Sequence, residues 1–165
     1  MTEKGVQATT LTAVADLAGV ARATVYLRWP TRSALVAAAA RAAFGGQPLP
    51  LTDDAEDNIR VAARFLQHVF ELPTTQAILP EIIRGVLASP TELRFEAVAP
   101  RRHEFGRRYA AGAAAAGLDP EVDPHLAFDM LLGTAIAHLL AHGRPMSAGE
   151  AEHLADVIIE GLREA

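Results

Sequence analysis

Apolar positions return every three to four residues through most of this chain, and the runs break at glycine and proline. Leu11, Val14, Ala15 and Ala18 recur at helical spacing behind Thr10, whose hydroxyl suits the first free amides of a helix. Gly19 follows and tolerates the left-handed turn that ends such a helix. A second short run, Ala21 to Arg28, turns Val25 inward and keeps Arg22, Thr24, Tyr26 and Arg28 for a polar partner. A third helix opens after Pro30, with Thr31 as its cap and Arg32 in a first turn whose unpaired amides and positive dipole end favour an anion. Two short helices broken at a glycine and followed by a third form a helix-turn-helix. In that reading the second piece is a recognition helix for the DNA major groove. Arg22 reaches base edges or phosphate, and the hydroxyls of Thr24 and Tyr26 hold phosphate oxygens. An ordinary helical hairpin would explain Val25 and Trp29 as core but leaves Arg22, Tyr26, Arg28 and Arg32 without a role.

Gly45-Gly46-Gln47-Pro48-Leu49-Pro50 stops the third helix and marks a boundary between domains 1–46 and 47–165. A helix from Asp53 to about Leu72 turns Ile59, Ala62, Ala63, Leu66, Val69 and Phe70 inward, and Pro73 ends it. The next starts at Thr74 or Thr75 and carries Ile78, Leu79, Ile82, Ile83 and Val86, with a kink or delay at Pro80. After Ser89-Pro90 a longer helix is expected to about Ala116, bent or broken at Pro100, and Gly117-Leu118-Asp119-Pro120 closes it. The last two, Asp123 to His142 and Ser147 to Arg163, are joined by Gly143-Arg144-Pro145 and are apolar on more than one face. Such helices need cover on both sides. In a domain this small the second cover is expected from another subunit, in a twofold four-helix bundle. The expected interface is Leu126, Met130, Gly133, Ala137, Leu154, Ala155, Ile158, Gly161 and Leu162; the alternative is that these residues line an intrachain core.

The chain has 165 residues, of which 34 are alanine and few are aromatic, so helix propensity is high and the fold class is all-α. Absence of cysteine excludes disulfides and thiolate chemistry. No apolar run of about 18 residues and no signal sequence is present, so a cytoplasmic protein with no membrane partner is expected. The net charge of −5 argues against nucleic acid until it is divided along the chain. Residues 1–44 hold five basic side chains (Lys4, Arg22, Arg28, Arg32, Arg41) against two acidic ones (Glu3, Asp16), and the excess acid lies beyond. Phosphate contact depends on that local potential. No nucleophile motif, glycine-rich phosphate loop or paired acid is recognisable, so neither an enzyme nor a cofactor is expected. His138 and His142 stand four apart, a spacing that can chelate, and keep a metal-responsive regulator as an alternative, although solvated histidines are commoner there.

Thr9-Thr10, Ala18-Gly19-Val20-Ala21, Thr24-Val25-Tyr26, Trp29-Pro30-Thr31-Arg32 and Leu35 together resemble the TetR family of bacterial transcriptional regulators. Two departures stand out: Ala21 replaces a small hydroxyl residue, and Arg32 replaces a lysine, keeping the charge with a different geometry. The resemblance implies a homodimer on double-stranded operator DNA, contacted by Thr10, Arg22, Ala23, Thr24, Tyr26, Arg28 and Arg32. It extends more weakly through Ala99-Pro100-Arg101-Arg102, Gly117-Leu118, Asp123-Pro124 and Leu131-Leu132-Gly133 into the ligand-binding half. That half implies a pocket for a small lipophilic effector, lined by Phe65, Val69, Ile82, Val86, Phe95, Phe105, Tyr109 and Phe128, with His68, Arg102 or His103 as polar selectors. Core packing is the alternative role for each. The helix bent at Pro100 is the expected transmitter from effector to operator, and the output expected is repression. The family carries a full helix before the position of Gly5, whereas Thr10 follows Met1 by nine residues, so Glu3 to Ala8 read as the tail of that helix. A truncated sequence, a misplaced start or a lost helix are the three explanations. Each implies a mobile N-terminal region and thinner cover for Val14, Leu17 and Leu35. A dimerisation or adaptor module that no longer binds DNA is a further alternative.

Overall fold

In a computed structural model the chain is described over residues 10–45, 48–88 and 99–163. Among these residues it forms eight α-helices and one 3₁₀ turn, with no strand. The all-α expectation is met. Two compact units result, the first from 1–46 and 72–97, the second from 47–71 and 98–165.

The first unit contains α1 (Leu11–Ala18), α2 (Arg22–Arg28), α3 (Arg32–Gly45) and α5 (Pro73–Ala88). Leu11, Ala15, Val25 and Leu35 form a buried cluster, with Val14 and Trp29 packed against it. Ala18, expected on the inner side, is exposed, and Leu17 is 86% exposed. Leu35 keeps its cover, and the expected mobility of the N-terminus concerns residues 1–9, which lie outside the described residues. α5 packs on α3. It starts at Pro73, one position before the expected threonines, because a proline fits the first helical position where its missing N–H has no partner to serve. Pro80 lies within α5, which continues past it.

The second unit contains α4 (Ala55–Glu71), α6 (Ala99–Gly112), the 3₁₀ turn Ala114–Ala116, α7 (Leu126–His142) and α8 (Ala148–Gly161). α4 is central, packing on α6, α7 and α8. It buries Ile59, Ala62, Ala63, Leu66, Val69 and Phe70, the six inner residues read from its periodicity. Asn58 is fully buried and ties the entering loop: its Oδ1 accepts from the Thr52 N–H at 2.8 Å and its amide donates to the Thr52 carbonyl at 3.0 Å. Across the α4–α8 surface Arg60 pairs with Asp156, Arg64 with Glu152 at 3.8 Å and Arg163 with Glu56 at 3.2 Å. Each is at least partly exposed and adds little stability by itself. Ser147 caps α8 reciprocally with Glu150, whose carboxyl is held well below the ordinary carboxylate range by Arg144 and by the Ser147 backbone and hydroxyl.

Pro100 is the second described residue of α6, and the helix start and the bend or break expected at Pro100 depend on residues 89–98, which lie outside the described ones. The end of α6 approaches the loop before α4 so closely that a Cβ on Gly112 would stand 2.5 Å from the Asp53 carbonyl oxygen. Gly149, on the exposed first turn of α8, has nothing within 4 Å. Gly112→Ala is therefore expected to lower unfolding free energy by about 1–3 kcal/mol in denaturant titrations. Gly149→Ala should leave it unchanged or raise it by up to about 1 kcal/mol. Equal effects from the two would contradict the packing described.

Candidate nucleic-acid interface

The geometry of α1 and α2 is set by caps. Thr10 accepts a hydrogen bond from the Ala13 N–H at 3.1 Å, so its hydroxyl serves α1 directly. Gly19 ends α1 with φ +67°, and its N–H donates to Ala15 and Asp16 while the Val20 N–H reaches the Ala15 carbonyl at 3.1 Å. α2 begins three residues after Gly19 without a side-chain cap, the consequence of Ala21 standing where the family pattern has a hydroxyl. Thr31 then caps α3, accepting from the Ala34 N–H at 3.1 Å.

Val25 is the buried residue of α2, at 3% exposure. Its burial fixes the helix phase, and Arg22, Ala23, Thr24, Tyr26, Leu27 and Arg28 are all exposed. Arg22 lies 3.6 Å from Asp16, a solvated pair that a phosphate can replace at small cost. Arg28 stacks over the Trp29 ring, its guanidinium carbon 5.3 Å from the centroid. Arg32 is half-buried at the start of α3. Every residue named from the sequence as a DNA contact except Arg32 is therefore open to solvent. Leu27, at 90% exposure, was not among them.

The residues expected around an effector divide. Phe105 and Phe128 are fully buried with ring centroids 5.6 Å apart, and Val69 and Tyr109 are buried in the same unit. The Tyr109 hydroxyl donates to the Asp119 carbonyl at 3.0 Å, and burial pushes its pKa up. Phe65 is half-buried, and the guanidinium carbon of Arg101 stands 5.0 Å from its ring centroid. Ile82 is half-buried on α5 in the other unit; the Val86 side chain and Phe95 lie outside the described residues. Of the polar selectors, His68 and His103 are exposed, while Arg102 grips Asp129 with two hydrogen bonds of 2.6 and 2.5 Å at the surface. Arg101 is the buried cation instead, and desolvation lowers its pKa. In an arginine pair at consecutive positions, the phase of α6 decides which one turns inward.

On α7, Leu126, Met130, Gly133 and Ala137 are exposed, and Leu140 joins them at 69%. On α8, Leu154 is half-buried, whereas Ala155, Ile158 and Leu162 are enclosed in the unit's own core, because that face of the helix packs on α4. These three belong to the intrachain alternative, and the open face of α8 is His153, Val157 and Gly161. His138 and His142 have ring centroids 4.4 Å apart; no group of three metal-ligating side chains occurs among the described residues. No described helix is long and apolar enough to cross a membrane.

The turn between α1 and α2 depends on the positive φ at Gly19, where an added Cβ meets no neighbour. Gly19→Ala is thus expected to lose about 1–2 kcal/mol from backbone strain alone, with Gly19→Asn recovering part of it. Thermal unfolding followed by circular dichroism checks this, and an unchanged melt for the alanine variant would contradict the turn.

Comparison with known families gives two matches: residues 1–39 match the family described as bacterial regulatory proteins, tetR family. Residues 49–158 match the family described as tetracyclin repressor-like, C-terminal domain. No curated protein matches the chain. Proteins of this family bind operator DNA, dimerise and are not enzymes. With a capped helix-turn-helix at one end and a helical domain of the matching kind at the other, this chain belongs to the TetR family of DNA-binding transcriptional regulators.

Proposed function

We propose that the protein is a cytoplasmic repressor whose 1–46 region holds operator DNA and whose 47–165 region binds a small lipophilic effector and forms the homodimer. The observation that carries the DNA assignment is the single-sided burial of α2: Val25 inside, Arg22, Thr24, Tyr26 and Arg28 outside. Arg22 and Arg28 contact phosphate or base edges, Thr24 and Tyr26 hold phosphate oxygens, and Arg32 adds charge at the start of α3. Thr10 contributes through the orientation of α1 and through a phosphate contact at the exposed end of that helix.

The dimer forms through the outer faces of α7 and α8. Leu126, Met130, Gly133, Ala137 and Leu140 make an exposed stripe on α7, and Val157 and Gly161 are the exposed apolar and small positions near the end of α8. Such a stripe of apolar and small side chains supports close helix approach across a twofold axis. Two copies then offer two α2 helices to half-sites one helical turn, or a multiple of it, apart.

The apolar and aromatic interior around Phe65, Val69, Phe105 and Phe128, with the buried Arg101 beside it, supports an effector that is mainly lipophilic. Its binding favours a state whose recognition helices no longer match successive grooves. A compound that raises the melting temperature and releases the duplex supports this; stabilisation without release would contradict it.

Fluorescence anisotropy with duplexes selected from a random library tests the whole reading. Arg22 and Arg28 from two copies make four phosphate contacts, so the log–log salt dependence is expected to have a slope of about −4 or steeper. Arg22→Ala should reduce that slope by about 2 per dimer. Val157→Glu should yield monomers in sedimentation and lose affinity for the two-half-site duplex. Dimers that retain no duplex at low salt would favour an adaptor module instead.

A further inference from the structure

We infer that Ala23 and Leu27 form an apolar ridge on α2 that reads the 5-methyl groups of thymine in the major groove. The inference rests on α2 being the recognition helix. Each residue adds about 100° around a helix, so Ala23 and Leu27, two positions either side of Val25, both lie about 160° from it. They are the crest of the helix, opposite the core. Arg22 and Tyr26 flank the ridge on one side, and Thr24 and Arg28 flank it on the other. All four flanking residues are exposed and carry donors suited to phosphates and polar base edges.

Leu27 is 90% exposed, more than any other large apolar side chain among the described residues. Folding of the helix-turn-helix makes no use of that surface, since the cluster of Leu11, Ala15, Val25 and Leu35 is complete without it. A helix entering the major groove leads with its crest, and a crest of Ala and Leu has no hydrogen-bonding group to offer a base. The thymine methyl is the apolar feature of that groove, and alanine and other apolar side chains pair with it. Cytosine at the same place lacks that methyl and offers the ridge no apolar contact. The ridge therefore selects thymine through contact with its methyl group. Four residues of helix separate the two side chains by about 6 Å, which spans roughly two base-pair steps.

The test uses the full chain and a duplex selected from a randomised library. Each thymine is replaced in turn by deoxyuridine, which keeps the base pair and removes only the methyl. For the wild type, one or two thymines in each half-site should prove sensitive, with affinity falling about fourfold per methyl lost and about fifteenfold when both half-sites are replaced. Leu27→Ala should melt like the wild type, bind the thymine duplex more weakly, and lose the uracil penalty at the position it contacts. If no uracil changes wild-type affinity by more than about twofold, or if Leu27→Ala keeps the full penalty at every position, the ridge does not read methyl groups. A library from which the chain retains no duplex removes the DNA-binding reading and this inference with it, an outcome distinct from tight binding that ignores the methyl.

Discussion

The contact of Val25 with Leu11, Ala15 and Leu35 decides what the N-terminal part of this protein can present to a partner. α2 has seven residues, too few to be stable alone, so it exists as a helix because its neighbours hold it. That one anchor sets its rotation, and the rotation in turn sets which side chains face out. Gly19 makes the anchor reachable by turning the chain sharply enough for α2 to return onto α1. This packing is what keeps the arginines and hydroxyls proposed to meet DNA together on the outer surface.

The second unit solves a different problem with the same helical material. α8 packs Ala151, Ala155, Ile158 and Ile159 inward and uses Asp156 and Glu152 to meet the arginines of α4, which leaves Val157 and Gly161 outside. α7 behaves similarly, with Ala127, Phe128, Leu131 and Ala135 inside and an apolar stripe from Leu126 to Leu140 outside. A monomer leaves that stripe in water, which fits a family whose members dimerise. Dimerisation and DNA recognition are thereby linked, because two half-sites reward only a protein that presents two recognition helices.

Local signals made the helix-turn-helix legible. A capping threonine, a glycine at the left-handed position and one inward valine act within a few residues of where they stand, and each did so here. The inner face of α4 was equally clear because its apolar period is clean. Where a helix carries apolar residues on more than one face, as α7 and α8 do, the pattern does not say which face turns inward, and Ala155, Ile158 and Leu162 went to the chain's own core rather than to an outer face. The Arg101–Arg102 pair failed for a related reason: neighbours 100° apart on a helix exchange roles with a small change in where the helix packs, and only Arg101 turned inward. Leu27 escaped notice because an apolar residue in a short helix reads as core until the position of the buried anchor is known.

The central claim is that α2, presented twice, lies in the major groove. Methylation interference at guanine N7, a major-groove atom, on a duplex selected by the full chain tests it most directly. The account predicts two symmetric clusters of interfering guanines whose centres are separated by about one helical turn or a whole multiple of it. A single cluster, or tight binding unaffected by N7 methylation at any guanine, would contradict it.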